Sequence, residues 1–345
     1  MRRYDIDWIR VIAIGLLIIY HAAITFQQWG IMIGFIANER SWPGLWMPMG
    51  VLNVWRIPLL FFVSGMGVYF AMRSRTWKQL LGERAGRILL PYVFGTFCIV
   101  PLQILVWRYY YDMQLFYAYS PAHLWFLGNI FAYVLIFTPL FFLWKNNTII
   151  PRIFSSPLGI LLPICFLIAE AVIIRPVPYE LYAMNWHGFC LGLIAFFFGY
   201  CFAFTGLPFW NMILKWWWLL LGVAATLAFF RLQNPMGTPV YLVPVESVCW
   251  ILFVLAMGYR FLNKPSKTLS YLSEAAYPVY IIHLLFQFLG SAWIFKTDLP
   301  VQLQFVMLVV FTLGGCLLVY EFLIKRTKLS RLLFGLKVDK KERTG

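Results

Sequence analysis

Ten stretches of this chain are each about as long as a lipid bilayer is thick and nearly free of charge, and they decide what it can become. They fall at 8–28, 45–72, 88–107, 124–144, 157–174, 188–205, 213–230, 241–261, 277–295 and 302–324. Inside lipid a backbone must satisfy its own polar groups, so each stretch reads as a helix. The fold class expected is therefore all-α: a polytopic membrane protein of about ten transmembrane helices. Only 12% of the 345 residues are charged, against about a quarter in soluble chains. A soluble enzyme is excluded, and the short connections leave no room for a separate catalytic domain. Residues 1–324 read as one membrane domain and 325–345 as a basic cytoplasmic tail lying on the anionic inner leaflet.

The net charge of +15 is explained by topology and not by nucleic acid. Basic residues gather beside alternate connections: Arg2, Arg3 and Arg10; Arg73, Arg75, Lys78, Arg84 and Arg87; Lys145 and Arg152; Arg260, Lys264 and Lys267; and the tail. The positive-inside bias puts these on the cytoplasmic side, with both termini inside and the protein in the cell inner membrane. The first run is too long for a signal peptide and carries Arg10 and His21, so it reads as a retained helix. Many of the 16 Trp lie near span ends, as an interfacial belt requires. The six Cys show no CxxC spacing and read as small buried hydrophobes.

Ionisable groups inside spans are costly and mark function by default. Arg10 and His21 stand eleven residues apart on the first helix, within about 20° of one face and separated by about 16 Å of rise. One stripe thus joins the cytoplasmic edge to the membrane interior, with Asp7 at its start. Arg84 and Arg87 are spaced to share a helical face, and guanidinium forks match phosphate. With Arg73 and Arg75 they suggest docking of a phosphate-bearing cytosolic molecule. At the opposite ends, His123 with Trp125 and Trp186 with His187 open two helices; with Arg56, Asp112, Arg175, Glu180 and Glu246 they suggest an aromatic, polar vestibule for a sugar. His283 reads as a helix-to-helix hydrogen-bonding group about two turns inside the ninth span, Glu170 and Glu321 as caps or ion partners, and Ser64-Gly65-Met66-Gly67 as close helix packing.

Four histidines on four helices argue against a metal site. The chain lacks GxSxG, P-loop, GxGxxG and HExxH patterns, which removes serine esterase, nucleotide-driven and zincin chemistry.

Together, Asp7-Trp-Ile-Arg10 with His21, Phe61-Phe-Val-Ser64-Gly65, Arg84-x-x-Arg87-Ile with Pro91-Tyr92, His123-Leu-Trp125-Phe-Leu127 and Tyr277-x-x-Tyr280-x-x-His283 resemble acyltransferase family 3 in order and spacing. Asn185-Trp186-His187-Gly188-Phe189 and Phe198-Gly199-Tyr200 are similar to its glucan biosynthesis protein C-like branch, which resembles succinyl transferases. Ala276 stands where many members carry Ser, and no hydrolase domain follows the last span. The resemblance implies a ten-helix enzyme that passes an acyl group, acetyl or succinyl, from cytosolic acyl-CoA to a hydroxyl of an extracytoplasmic or lipid-linked glycan, without a metal. It implies that His21 and Arg10 are the essential pair and that Arg84 and Arg87 form the two-arginine motif.

On this reading Arg84, Arg87 and Arg10 hold the CoA phosphates. His21 acts as general base, or alternatively carries the acyl group covalently. Ser64 or Tyr280 donates to the developing oxyanion. The rival is a secondary transporter or exporter of a glycan or anionic metabolite, against which stands the absence of an internal repeat. A receptor or scaffold leaves Arg10 and His21 without a task.

Overall fold

In the computed structural model, which describes residues 3–234 and 237–337, every regular element is helical. Arg2, Lys340, Lys341 and Arg343, counted above among the basic residues, lie outside the described residues. Nine of the described helices are long and apolar enough to cross a membrane. They are α1 (Tyr4–Ile24), α2 (Pro43–Met72), α3 (Trp77–Tyr110), α4 (Ala122–Leu143), α6 (Trp186–Thr205), α7 (Leu207–Gln233), α8 (Leu242–Leu262), α9 (Lys267–Ile294) and α10 (Val301–Ile324). The remaining apolar helix, α5 (Leu158–Ile174), has 17 residues, at the short end of what spans a bilayer. The chain is an all-α multi-pass membrane protein.

Two boundaries differ usefully from the hydropathy runs. The segment after Arg75 is already helical from Trp77, and α9 starts at Lys267, ten residues before the apolar run. The added turns, such as Lys267-Thr-Leu-Ser-Tyr-Leu-Ser-Glu274, hold ordinary helix formers but too little apolar surface to register on a hydropathy scale. His283 consequently sits about four turns inside its helix and not two.

The chain forms two compact units. The first holds Met1–Arg10, Gly50–Glu83 and Asn129–Leu269; the second holds Val11–Met49, Arg84–Gly128 and Ser270–Gly345. Within the first, α2 and α6 cross at Gly65 and Gly199. A Cβ on Gly65 would run into the Phe196 carbonyl, and one on Gly199 into the Phe62 carbonyl. A backbone carbonyl cannot rotate away, so the cost of overpacking, about 1–3 kcal/mol, outweighs the roughly 1 kcal/mol that a helix gains when Gly becomes Ala. Gly199→Ala is expected to lower the thermal midpoint of the detergent-solubilised protein by several degrees. Gly222→Ala, where an added methyl meets nothing, should hold or raise it; equal behaviour of the two would contradict this crossing.

Within the second unit, α3 contains two π turns, Ala85–Leu89 and Gly95–Ile99, each ending just before a proline, Pro91 or Pro101. A proline inside a helix lacks the donor for the carbonyl four residues back and crowds it. The widened turn makes the room, with Leu90 N–H reaching Ala85 O and Val100 N–H reaching Gly95 O. The carbonyl facing Pro101 belongs to Phe97, and the Tyr117 hydroxyl donates to it at 2.9 Å.

The basic tail, as far as it is described, folds onto the second unit. Thr327 caps a short helix, Lys328–Leu333. Phe334 meets Phe94 with ring centroids 5.5 Å apart, and Gly335 turns at φ +67° against the Arg87 carbonyl and the Pro91 ring. Arg331 bonds Glu274 at 3.1 Å. Cys201, Cys249 and Cys316 are buried, but Cys98 and Cys165 are on the helix surface. An apolar outer face that lipid covers looks, in sequence, the same as a core.

Candidate active site

Three histidines from three helices meet inside the second unit. His21 lies one turn from the end of α1, His123 in the 3-10 turn that opens α4, and His283 deep in α9. His21 Nδ1 is 2.8 Å from His283 Nε2. The ring planes are 6° apart while the centroids are 5.1 Å apart, so the rings meet edge to edge in nearly one plane, which suits an in-line hydrogen bond. His283 is fully buried, and its Nδ1 donates to the Tyr280 carbonyl at 2.7 Å. His123 stands edge-on to His283 at 4.9 Å between centroids.

A reciprocal clasp holds this arrangement. The Tyr280 hydroxyl donates to the His123 carbonyl at 2.5 Å, and His123 Nε2 donates to the Ile281 carbonyl at 3.1 Å. The clasp pins the turn at Ala122, whose φ is +41°. It also leaves His123 Nδ1 as a buried acceptor with no hydrogen-bond partner in the structure. His123, expected in an outer vestibule, lies beside the His21–His283 pair. The Tyr280 hydroxyl, expected as an oxyanion donor, gives its hydrogen to this carbonyl in the structure. Ser64 is in the same position: its hydroxyl donates to Leu60 O at 2.7 Å within α2.

The arginines of the two-arginine motif lie in the second unit at the start of α3's first π turn. Arg84 is half-buried, and Arg87 is exposed with Nε donating to the Gly335 carbonyl at 3.4 Å. The π turn begins at the residue after Arg84, so their angular relation is not the regular i, i+3 spacing read from the sequence. In the first unit, Arg75 is engaged by Glu83 at 2.6 Å and by Ala71 O at 3.0 Å. Its expected part in phosphate binding is thus taken by an internal ion pair, while Arg73 is exposed.

Arg10 is partly exposed, with Nη1 3.8 Å from the Asp7 carboxylate one turn earlier. Gly67 lies next to its guanidinium; a Cβ there would be 3.8 Å from Nη2. Just before it, Asp5 is completely buried and paired with Arg3 through both carboxylate oxygens, and the Arg3 guanidinium lies 3.9 Å from the Trp210 ring centroid. Sequence reading passed over Asp5, because an acidic residue in a first helical turn looks like an ordinary cap.

Several of the remaining vestibule residues of the first unit are bonded to neighbouring groups that were not part of the expected vestibule. Arg231, which sequence reading did not single out, donates through Nε and Nη2 to both oxygens of buried Glu246 at 2.8 and 2.9 Å. It also reaches Glu180 at 3.1 Å and Gly50 O at 3.2 Å. Its signal was present: opposite charges near the facing ends of two consecutive spans. His187 is held at both ring nitrogens, by Glu170 Oε1 at 2.7 Å and the Tyr179 carbonyl at 2.8 Å, so neither edge is left for a sugar. Burial, then the nearby Glu170, Glu180 and Glu246, push the Tyr179 phenol well above its ordinary value and keep it neutral. Arg56 is fully buried and donates to Asn53 Oδ1 at 3.5 Å. Trp186 is exposed and Trp125 half-buried. Asn185 caps α6 by accepting from Gly188 N–H at 2.8 Å.

Among the described residues no group of three or more His, Cys, Asp or Glu is arranged to hold a metal ion. Apolar spans that carry a histidine cluster and several arginines define a polytopic membrane protein with reactive groups in its interior. The chain belongs to acyltransferase family 3, since residues 3–321 match the profile of that family's acyltransferase domain. It is a membrane acyltransferase. Compared with curated proteins and with solved structures, the chain finds no match.

Proposed function

We propose that this acyltransferase takes an acetyl or succinyl group from acyl-CoA at the cytoplasmic face of the inner membrane. It passes that group to a hydroxyl of a glycan on the other side, with His21 as general base. The observation that carries the reading is the His21–His283 contact, located on a helix whose other end presents Arg10. A base must sit within reach of the proton it takes and be neutral before taking it. A half-buried imidazole held in place by a second imidazole is the group of this site suited to that task. The acceptor oxygen attacks the thioester carbonyl carbon, its proton passes to His21, and His21 returns it to the departing thiolate. Bound acyl-CoA supplies the activated acyl group; the chain supplies the base and the cationic cradle.

Arg84 and Arg87 hold the phosphates on this reading, and Arg10 stands at the start of the stripe. Hydrogen bonds to charged groups are worth about 1.5–3 kcal/mol each. The double change Arg84→Ala/Arg87→Ala is therefore expected to weaken acetyl-CoA binding ~100-fold or more, measured by equilibrium binding of radiolabelled acetyl-CoA to protein in nanodiscs. Arg75→Ala, which removes a residue already paired with Glu83, is expected to change it less than threefold, a difference of under about 0.7 kcal/mol. Saturable binding that survives the double change would overturn the assignment of this face. Absence of saturable binding of both acetyl-CoA and succinyl-CoA by the unaltered protein would overturn the donor.

A further inference from the structure

We infer that His283 is a positioning residue that fixes the tautomer of His21, making Nε2 the nitrogen that accepts the proton in the transfer reaction. The inference concerns the site proposed above, and its catalytic part rests on that reading; its structural part does not.

Three ring nitrogens have their hydrogen fixed by their partners. A backbone carbonyl only accepts, so His283 Nδ1, 2.7 Å from the Tyr280 carbonyl, carries a hydrogen. A neutral imidazole has one donor and one acceptor nitrogen, so His283 Nε2 carries the lone pair. His21 Nδ1 is 2.8 Å from that lone pair and must therefore be the N–H. In neutral His21 the lone pair is then on Nε2, and the basic edge of the ring is the one turned away from His283. The centroid separation of 5.1 Å with the 2.8 Å N–N distance fits this in-line bond, which holds the His21 ring by its Nδ1 edge.

The alternative of a relay fails on the same geometry. A proton handed from His21 Nδ1 to His283 Nε2 would make His283 a cation, and its only outlet, Nδ1–H, points at a carbonyl that cannot take a proton. His283 is fully buried, where an imidazolium is costly. The pair therefore orients and does not conduct. When His21 takes the acceptor hydroxyl proton on Nε2, it becomes an imidazolium whose Nδ1–H remains bonded to neutral His283. The proton then leaves from Nε2 to the thiolate, and both rings end as they began. The Tyr280–His123 clasp supports this from the other side, since it ties α9 to the start of α4 around His283.

The chain has only 4 His, so ring nitrogen signals can be assigned by single substitution. The test has two arms. In the first, the protein is labelled with ¹⁵N-histidine in nanodiscs, and the neutral-form ring shifts of His21 are read in unaltered protein and in His283→Ala. A protonated Nδ1 with bare Nε2, lost or mixed in the variant, is the expected result. Bare Nδ1 in the unaltered protein, or an unchanged tautomer in the variant, overturns the inference with or without any enzyme assay.

In the second arm, release of free CoA from acetyl-CoA is followed for His21→Ala, His283→Ala and His283→Gln. The glutamine amide oxygen can take the place of Nε2 as acceptor. His283→Ala is expected to lower kcat ~100-fold with the acetyl-CoA KM within threefold, the scale on which orienting partners usually act. His283→Gln is expected to restore at least a tenth of the rate. Full rate in His283→Ala beside an inactive His21→Ala sinks the positioning role and leaves the base assignment standing. Activity in His21→Ala sinks the base assignment and leaves the tautomer to the first arm.

Discussion

His21→Ala is expected to lower acyl transfer by roughly 10²- to 10⁴-fold, the range over which a positioned base contributes, or about 2.7–5.4 kcal/mol of transition-state stabilisation. The substitution removes the partner of His283 Nε2, and the His21 ring is only half-buried. Expression and thermal midpoint should therefore stay near those of the unaltered protein, and acetyl-CoA binding at the arginine face should persist. Loss of turnover with retained binding separates chemistry from docking. Turnover within a few-fold of normal would refute His21 as the base.

Glu246→Ala is expected to cost more stability than either His21→Ala or Gly199→Ala. Arg231 meets both oxygens of Glu246 at 2.8 and 2.9 Å in a region where Glu246 is almost wholly buried. Removing one partner of a buried pair leaves an uncompensated charge and costs about 3–5 kcal/mol. Glu180, 3.1 Å from Arg231, recovers part of this, so a value at the lower end is expected. Replacing both members with apolar residues of similar volume, Arg231→Met/Glu246→Leu, removes the charge problem altogether and is expected to be far less damaging than Glu246→Ala alone. Thermal unfolding of the three proteins in the same detergent tests this. A double variant as unstable as the single one would mean that the pair's hydrogen bonds to Glu180 and Gly50 hold the first unit together more than its charge balance does.

How much of this was legible beforehand depends on the length scale of the interaction. The apolar runs identified the helices because lipid imposes one rule on every residue of a span. Their interiors were read correctly, but their polar extensions, such as Lys267 to Ala276 of α9, were not, since propensity without hydrophobicity leaves no hydropathy signal. The spacing of Arg10 and His21 on one helix was also readable, because helical periodicity is local. What His21 touches was not. His283 is 262 positions away in the chain, and nothing in the sequence distinguishes a histidine that bonds a neighbouring helix from one that bonds the proposed base.

The same limit explains the hydroxyls and the vestibule. Ser64 and Tyr280 are the right residue types for oxyanion donors, but a hydroxyl has one hydrogen, and which carbonyl receives it is decided by the backbone that folds beside it. Glu246, His187 and Glu170 were recognised as unusual, yet their partners come from other helices and connections. Taken alone, the sequence determined that this chain is a bundle of apolar helices with cationic ends and a costly Arg–His stripe, because burial in lipid and helix periodicity act residue by residue. Only the tertiary structure decided which partner each polar group meets, because hydrogen bonds are directional and saturable and their partners are distant in the chain.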